Sequence, residues 1–320
     1  MDRLKGLRFL VTGGAGFIGS NIVSRLLTEG AELVRVLDDF STGHRENLAS
    51  VESDIELIEG DVCDGSLVRD AMDGIHHVLH QAAIPSVPRS VEEPERTTSV
   101  IVDGTVTVLA RAVEAGVRRV VVASSSSVYG DSDVLPKHED MPLNPLSPYA
   151  ASKGACELMC QSFQAVFSIE TVCLRYFNIF GPRQDPDSQY AAVIPRFITE
   201  LARGNPLPVY GDGGQTRDFT YVGNVVDANL QACFSPGASG GRFNIGCGEQ
   251  ISLLDLAQVL GRVMERVPRI EHLPPRPGDV RHSRADITRA RQGLGYEPRV
   301  DLEEGLRRTV AYFVEGRLLD

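Results

Sequence analysis

The chain has 320 residues, 42% hydrophobic and 23% charged, enough for one large α/β unit or two smaller ones sharing a cleft. A net charge of −11 argues against a general nucleic-acid binder and against a polybasic membrane surface. No apolar run approaches a bilayer span, and the polar start Met1–Gly6 passes directly into a strand; neither membrane anchor nor secretory leader is expected, and the cytoplasm is the expected compartment.

Arg8–Thr12 reads as a short strand running into Thr12-Gly13-Gly14-Ala15-Gly16-Phe17-Ile18-Gly19 and then a helix through about Glu29. Strand, glycine turn and helix in that order are the context a dinucleotide fingerprint requires. The glycines permit a tight turn and close approach of backbone to a pyrophosphate, and the helix start offers free N–H groups to the anion. A second strand, Leu33–Leu37, ends at Asp38, the spacing at which a carboxylate meets the adenosine ribose. Asp38 and Asp39 together repel a 2′-phosphate, which favours NAD over NADP.

The alternation continues with a strand at Ile55–Ile58 closing on Gly60-Asp61-Val62, a helix at Leu67–Met72, and a strand at His77–His80 leading to Gln81-Ala82-Ala83. A long helix is expected from Pro94 to Ala115, then a fifth strand, Arg119–Ala123, ending in the serines 124 to 127. Strands alternating with helices imply a parallel sheet covered on both faces, with ligands bound beyond the carboxyl ends of the strands. Those ends carry the glycine turn, Asp38, Asp61, the Ala82–Ala83 turn and the serine run.

His76, His77 and His80 do not form a metal set, because strand alternation sends His77 to the opposite face from the other two. The six cysteines (63, 156, 160, 173, 233 and 247) are scattered. Cys156 and Cys160 fit an apolar helix stripe with Met159, Phe163, Val166 and Phe167, expected to be buried, rather than a zinc site. No bound metal is expected.

Ser147-Pro148-Tyr149-Ala150-Ala151-Ser152-Lys153 reads as a helix start, the serine capping and the proline pre-set for the first turn. Tyr149 and Lys153 are four apart, on one face. A free tyrosine, with pKa about 10, is a poor base at neutral pH. A lysine ammonium held close favours the phenolate, and such a pair moves protons near pH 7. From about Ile179 the alternation breaks into clusters of Pro, Gly, Asn and Asp around 181–188 and 204–214.

On Thr12-Gly13-x-x-Gly16-x-x-Gly19, Asp61-Val62, the serines before Val128-Tyr129-Gly130, and Tyr149-x-x-x-Lys153, the chain closely resembles the extended short-chain dehydrogenase/reductase family. Leu174-Arg175-Tyr176-Phe177-Asn178 and Arg217-Asp218-Phe219 make it most similar to the sugar-nucleotide 4-epimerases of that family. The resemblance implies a Rossmann-type doubly wound parallel sheet and a smaller C-terminal α/β substrate-binding domain. These are expected at 1–178 for NAD and 179–320 for the UDP-sugar, with segments around 217–235 free to return to the first. It implies NAD contacts from Gly13, Gly16, Phe17, Ile18, Gly19, Asp38, Asp39, Ser41, Thr42, Gly43, Asp61, Val62, Gln81, Ala82, Ala83, Ser124, Tyr149, Lys153 and Tyr176. Sugar-nucleotide contacts are expected from Ser86, Ser125, Ser126, Asn178, Val193, Tyr210, Arg217, Arg276, Asp279 and Ser283. Many relatives carry Asn where this chain has Ile101, so one cofactor contact of the family is absent.

The resemblance makes Tyr149 the general base, Lys153 its partner at the nicotinamide ribose, and Ser125 the catalytic hydroxyl, with Ser124 and Ser126 one residue away on either side. Tyr149 takes the proton of the sugar 4-hydroxyl while hydride passes from C4 to NAD; the 4-keto sugar turns over and hydride returns to its other face. NAD is regenerated each cycle and is expected to stay bound. Dehydratases of the family place Asp-Glu where this chain has Ser126 and Ser127, and a serine protonates a leaving hydroxyl poorly. The residue matching Ser283 lines the sugar pocket in the family; its small size favours UDP-N-acetylglucosamine and its galacto epimer, with UDP-glucose and UDP-galactose not excluded. The alternatives are a UDP-glucose 4-epimerase only, another nucleotide-sugar epimerase or dehydratase, and a non-catalytic NAD-binding sensor. A homodimer through the Pro94–Ala115 and Tyr149–Phe167 helices is a further family expectation, and no nucleic-acid partner is expected.

Overall fold

The structure is a computed structural model describing residues 4–186, 192–274 and 280–315. Its frame is a set of short apolar runs, β1 (Arg8–Thr12), β2 (Leu33–Asp38), β3 (Glu56–Glu59), β4 (His77–His80), β5 (Arg119–Ser125) and β6 (Glu170–Tyr176). Four-residue runs such as Val120–Ala123 are buried on both sides, as strands of a covered parallel sheet must be. Further strands follow: β7 (Ile179–Phe180), β8 (Leu207–Tyr210), β9 (Thr216–Arg217), β10 (Thr220–Tyr221), β11 (Arg242–Ile245), β12 (Ile251–Ser252) and β13 (Ile270–Leu273). The large sheet runs β11-β6-β5-β4-β1-β2-β3, with every neighbouring pair parallel. The order reverses between β1 and β4, so a crevice opens there beyond the carboxyl ends.

The helices are α1 (Phe17–Thr28), α2 (Gly65–Ala71), α3 (Val87–Glu92), α4 (Pro94–Thr98), α5 (Gly104–Ala115), α6 (Pro148–Phe167), α7 (Val193–Ala202) and α8 (Val222–Phe234). Alternation in β1 sends Phe9 and Val11 to one face, packed with Ile22, Leu26, Val225 and Val226 of α1 and α8. Leu10 goes to the other, packed with Val68, Val108, Leu109 and Cys160 of α2, α5 and α6. A separate core of Phe180, Phe197, Ile198, Val209, Leu256, Leu306 and Phe313 belongs to the later residues. Within them β10 pairs with β7, β12 with β9 and β13 with β8. Yet α8 and β11 lie on the large sheet, so the stretch 222–245 returns to the layer that the first half builds.

Three local expectations change. The long helix from Pro94 is interrupted: α4 passes through a π turn at Ser99–Asp103 before α5 begins. There Ile101 is buried, and its carbonyl accepts from Thr105 Oγ1 (2.5 Å) and Cys156 Sγ (3.2 Å). The apolar stripe of α6 divides: Cys156 and Cys160 face the sheet, while Met159, Val166 and Phe167 are 37%, 68% and 52% exposed. The apolar surface of α6 is wider than the strip that the sheet covers. Finally, β5 extends two residues beyond its expected end, carrying Ser124 and Ser125 into the ladder opposite Arg175 and Tyr176.

Candidate active site

The glycine turn is fixed by close packing. Gly13 has φ +68°, and a Cβ there would lie 2.6 Å from the backbone nitrogen of Ala82; at Gly19 it would lie 2.1 Å from Gly13 O. Side chains are therefore excluded where the turn, α1 and the β4 exit meet. Asp38, 6% exposed at the end of β2, locks this turn: its Oδ2 accepts from Ala15 N (2.8 Å) and its Oδ1 from Phe40 N (2.9 Å). Burial raises the Asp38 pKa, and the two N–H groups oppose the rise. Asp39 accepts from the backbone and hydroxyl of Ser41.

On the far wall, Ser147 Oγ accepts from Ala150 N (3.2 Å) and Pro148 opens α6, which brings Tyr149 and Lys153 to the crevice. Lys153 Nζ lies 5.9 Å from the centre of the Tyr149 ring and donates to Ala123 O at 2.8 Å. Burial pushes the lysine pKa down and the tyrosine pKa up; the Ser125 hydroxyl, hydrogen-bonded to Tyr149, pulls the tyrosine back. Without cofactor the protein thus holds Tyr149 as a phenol, and the lysine is committed to a strand carbonyl.

The geometry separates the serines. Ser124 Oγ donates to Glu157 Oε1 at 2.6 Å, inside a buried pair in which Arg175 reaches both carboxylate oxygens (2.8 and 2.6 Å). Ser127 Oγ donates to Ser125 Oγ at 2.9 Å. Ser125 is the hydroxyl turned to Tyr149. Tyr176 OH is held by Gln81 and Asn229, tying the β4 and β6 exits to α8.

These walls enclose a cleft of 470 Å³. From the expected sets it gathers Gly13, Gly16, Phe17, Ile18, Gly19, Asp38, Asp39, Ser41, Thr42, Asp61, Val62, Gln81, Ala82, Ala83, Ser86, Ser124, Tyr149, Lys153 and Tyr176. Gly43 stands behind the wall, where a Cβ would touch Ala15 and Asp38. Ser125, Ser126, Asn178, Val193, Tyr210, Arg217 and Ser283 do not line it. Some of these gather elsewhere. Asn178, in a left-handed conformation, donates to Asp218 O; Arg217 donates to Arg281 O; Ser283 N donates to Thr216 O. Arg196 of α7, near Val193, reaches the Tyr210 hydroxyl. Asp218 is wholly buried and joins three chain segments by accepting from the backbone N–H groups of Cys247, Gly248 and Ala285. Arg276 and Asp279 lie outside the described residues. The cleft also contains residues not expected from the motifs, among them His44, Asn47, Val100, Arg183, Gln184 and Asp185. Arg183 and Gln184 lie in the cluster at 181–188, where hydrophobic periodicity gives no signal.

Of the three histidines, His80 bridges Thr12 Oγ1 (2.7 Å) and Thr105 Oγ1 (3.0 Å) behind the glycine turn, and His77 stacks on Phe9. No cluster of three or more potential metal ligands occurs among the described residues. No helix among them is long and apolar enough to cross a membrane.

A doubly wound sheet with a glycine turn, an acidic β2 end and a crevice at the strand reversal defines a dinucleotide-binding protein. Residues 9–246 match the NAD dependent epimerase/dehydratase family. The chain is 42% identical over 311 residues to a UDP-glucose 4-epimerase of Mycolicibacterium smegmatis, covering 96% of this chain and 98% of that protein. It superposes with a TM-score of 0.92 on a UDP-glucose 4-epimerase from Thermotoga maritima solved with UDP-glucose, at 35% identity and coverage of 97% and 100%. The TM-score is also 0.92, at 37% identity and coverage of 97% and 99%, with a UDP-N-acetylglucosamine 4-epimerase from Methanobrevibacter ruminantium in complex with UDP-N-acetylmuramic acid. The chain belongs to the NAD dependent epimerase/dehydratase family, and its cofactor is NAD. The cleft fits that group: the glycine turn leaves no room for side chains, and the acidic pair disfavours an added phosphate.

Proposed function

We propose that the protein is a UDP-sugar 4-epimerase that accepts UDP-N-acetylglucosamine and UDP-N-acetylgalactosamine, and also UDP-glucose and UDP-galactose. The observation that carries this reading is the hydrogen bond of Ser125 to Tyr149, which lines the crevice with Lys153 beside it, with serines and no acid pair next to Ser125. Bound NAD supplies the hydride acceptor and donor for C4 of the sugar. As the phenolate, Tyr149 takes the proton of the 4-hydroxyl, and as the phenol so formed it returns that proton after the keto sugar has turned over, with the Ser125 hydroxyl relaying it. Lys153, held by Ala123 O, stands beside the Tyr149 ring, where a positive charge favours the phenolate; Ser127 fixes the orientation of Ser125. Neither Ser126 nor Ser127 is an effective acid for expelling a hydroxyl, which separates this site from dehydratase chemistry.

Gly13, Gly16, Phe17, Ile18, Gly19, Asp38 and Asp39 are read as the adenosine and pyrophosphate side of the NAD site. Asn178, Arg217, Arg276, Asp279 and Ser283 are read as the sugar-nucleotide side, where arginine suits a diphosphate by its planar fork. Ser283, small, supports the N-acetylated substrates. The Mycolicibacterium and Thermotoga relatives support the second reading, a glucose/galactose enzyme only. We also read the protein as a cytoplasmic homodimer, the exposed Leu158, Met159, Val166 and Phe167 of α6 being suited to a helix-pair contact. The test is to mix purified protein with UDP-N-acetylglucosamine, and separately with UDP-glucose, without adding cofactor, and to look for each 4-epimer. Turnover of the glucose compound alone selects the second reading. Turnover of neither, in protein that carries NAD, leaves a non-catalytic binder.

A further inference from the structure

Three neighbouring residues of the cleft wall belong to neither expected binding set: Arg183, Gln184 and Asp185. They lie in the turn Gly181–Asp185, which follows β7 and crosses the cleft between two anchors. The first anchor is α1. Arg183 Nη1 donates to Ser20 O (2.7 Å) and Ser24 Oγ (2.9 Å), and Pro182 O accepts from Asn21 Nδ2 (3.1 Å). The second is the loop after β2, where Asp185 Oδ2 lies 3.6 Å from His44 Nε2. His44 N is in turn bonded to Ala15 O of the glycine turn. Both anchors therefore adjoin that turn.

Two further observations concern what the segment faces. Gln184 Oε1 is buried with no hydrogen-bond partner among the described residues, although Gln184 Nε2 donates to Ile179 O. A buried unpaired acceptor in a cleft wall is costly unless a ligand completes it. Arg183 holds φ +69°, a left-handed conformation that a long side chain adopts at a cost and that surrounding contacts must enforce. The enforcing contacts are those to Ser20 and Ser24, which hold the guanidinium against the first two turns of α1, the helix at whose start the cofactor phosphates are expected.

We propose that Gly181–Asp185 is a clasp that retains the dinucleotide. Arg183 is its cation for the phosphates, Gln184 Oε1 takes a hydrogen bond from the bound ligand, and the His44–Asp185 contact closes the side next to Asp38. The proposal rests on NAD as cofactor and goes beyond it: cofactor exchange is controlled by a segment that the chain adds after the dinucleotide-binding strands. The turn has to leave both anchors before the dinucleotide departs.

The test is a release experiment. Protein loaded with the fluorescent etheno analogue of NAD is diluted into excess NAD, and the loss of bound fluorescence is timed. Hydrogen bonds to a charged group support an expected acceleration of about tenfold to a hundredfold for Arg183→Ala. Ser24→Ala, which removes one acceptor outside the cleft wall, and Asp185→Asn are each expected to accelerate release by roughly twofold to fivefold. If Arg183→Ala does not fold, these two variants decide. Release unchanged in the variants, from wild type that holds the analogue, overturns the clasp and leaves the cofactor assignment standing. Wild type that holds neither NAD nor the analogue overturns both. A fall in the melting temperature of cofactor-free Arg183→Ala as large as that of the loaded protein also counts against the clasp, because the residue then acts on the fold at large.

Discussion

Tyr149 sits with its hydroxyl against Ser125 and its ring near Lys153, and burial holds it protonated in the protein alone. Tyr149→Phe removes one oxygen from a site whose packing is set by α6. The expected result is retained fold and NAD content with turnover of the UDP-sugar lowered by about 10²–10⁴-fold, the usual share of general acid–base catalysis. Ser125→Ala is expected to lose less, because Ser127 Oγ, now 2.9 Å from Ser125 Oγ, is near enough to substitute. Equal loss in both would make Ser125 an equal partner in proton transfer, and near wild-type turnover of Tyr149→Phe would remove the tyrosine from the mechanism. Tyr149 and Lys153 were legible in the sequence because helix geometry fixes which residues share a face. The serines were legible only to within one position, since the partner of each depends on where β5 stops and on a buried Glu157 that no motif announces. Arg183 was not legible: its role depends on a left-handed turn and on contacts more than 150 residues away in the chain.

Among the elements, β4 has the clearest measurable consequence. His80 is 2% exposed between Thr12 and Thr105, and burial, with Lys153 nearby, takes its pKa down to about 3. His77, stacked on Phe9, is taken down to about 4 for the same reason of burial. The unfolded chain takes up these protons near the ordinary value of 6.5, and the folded chain does not. Stability from this source is therefore complete above about pH 6.5 and is lost progressively as the pH falls towards 3. Denaturant unfolding at a series of pH values is expected to give a stability that falls on acidification through this window, and His80→Gln to flatten the slope. An unaltered slope would assign the acid sensitivity to other groups. The strand His77–His80 was readable from the sequence, and its cover on both faces from the alternation of strands with helices; its register was not. The π turn at Ser99–Asp103 was not, because one widened turn leaves the helical periodicity of Pro94–Ala115 nearly intact. The exposed half of the α6 stripe was misread for a related reason: spacing tells which residues share a face, not whether a neighbour covers that face.

At the scale of the whole molecule, a covered parallel sheet with ligands beyond its carboxyl ends was legible from the alternation of elements up to Ala123, and the doubly wound fold from the family resemblance; the strand order and β6 were not. The destination of β11 was not, since a four-residue strand carries no mark of the edge it will join. That strand completes the sheet beside β6, and α8 covers the face bearing Phe9, Val121 and Val172. A fragment of residues 1–178, which contains every expected NAD contact, is thus expected to aggregate or to bind a hydrophobic dye, and to bind NAD weakly. A monomeric, cooperatively melting fragment would show that the return of 222–245 is dispensable. The same topology bears on synthesis. A ribosome delivers β6 some seventy residues before the strand that shields it, counting from Tyr176 to Ile245. Throughout that interval the nascent sheet presents an open edge and a bare apolar face, the features that invite mispairing between neighbouring chains on one messenger. The cofactor cleft is lined by residues between Gly13 and Ala192, so all of its walls are made before the strand that completes the sheet behind them.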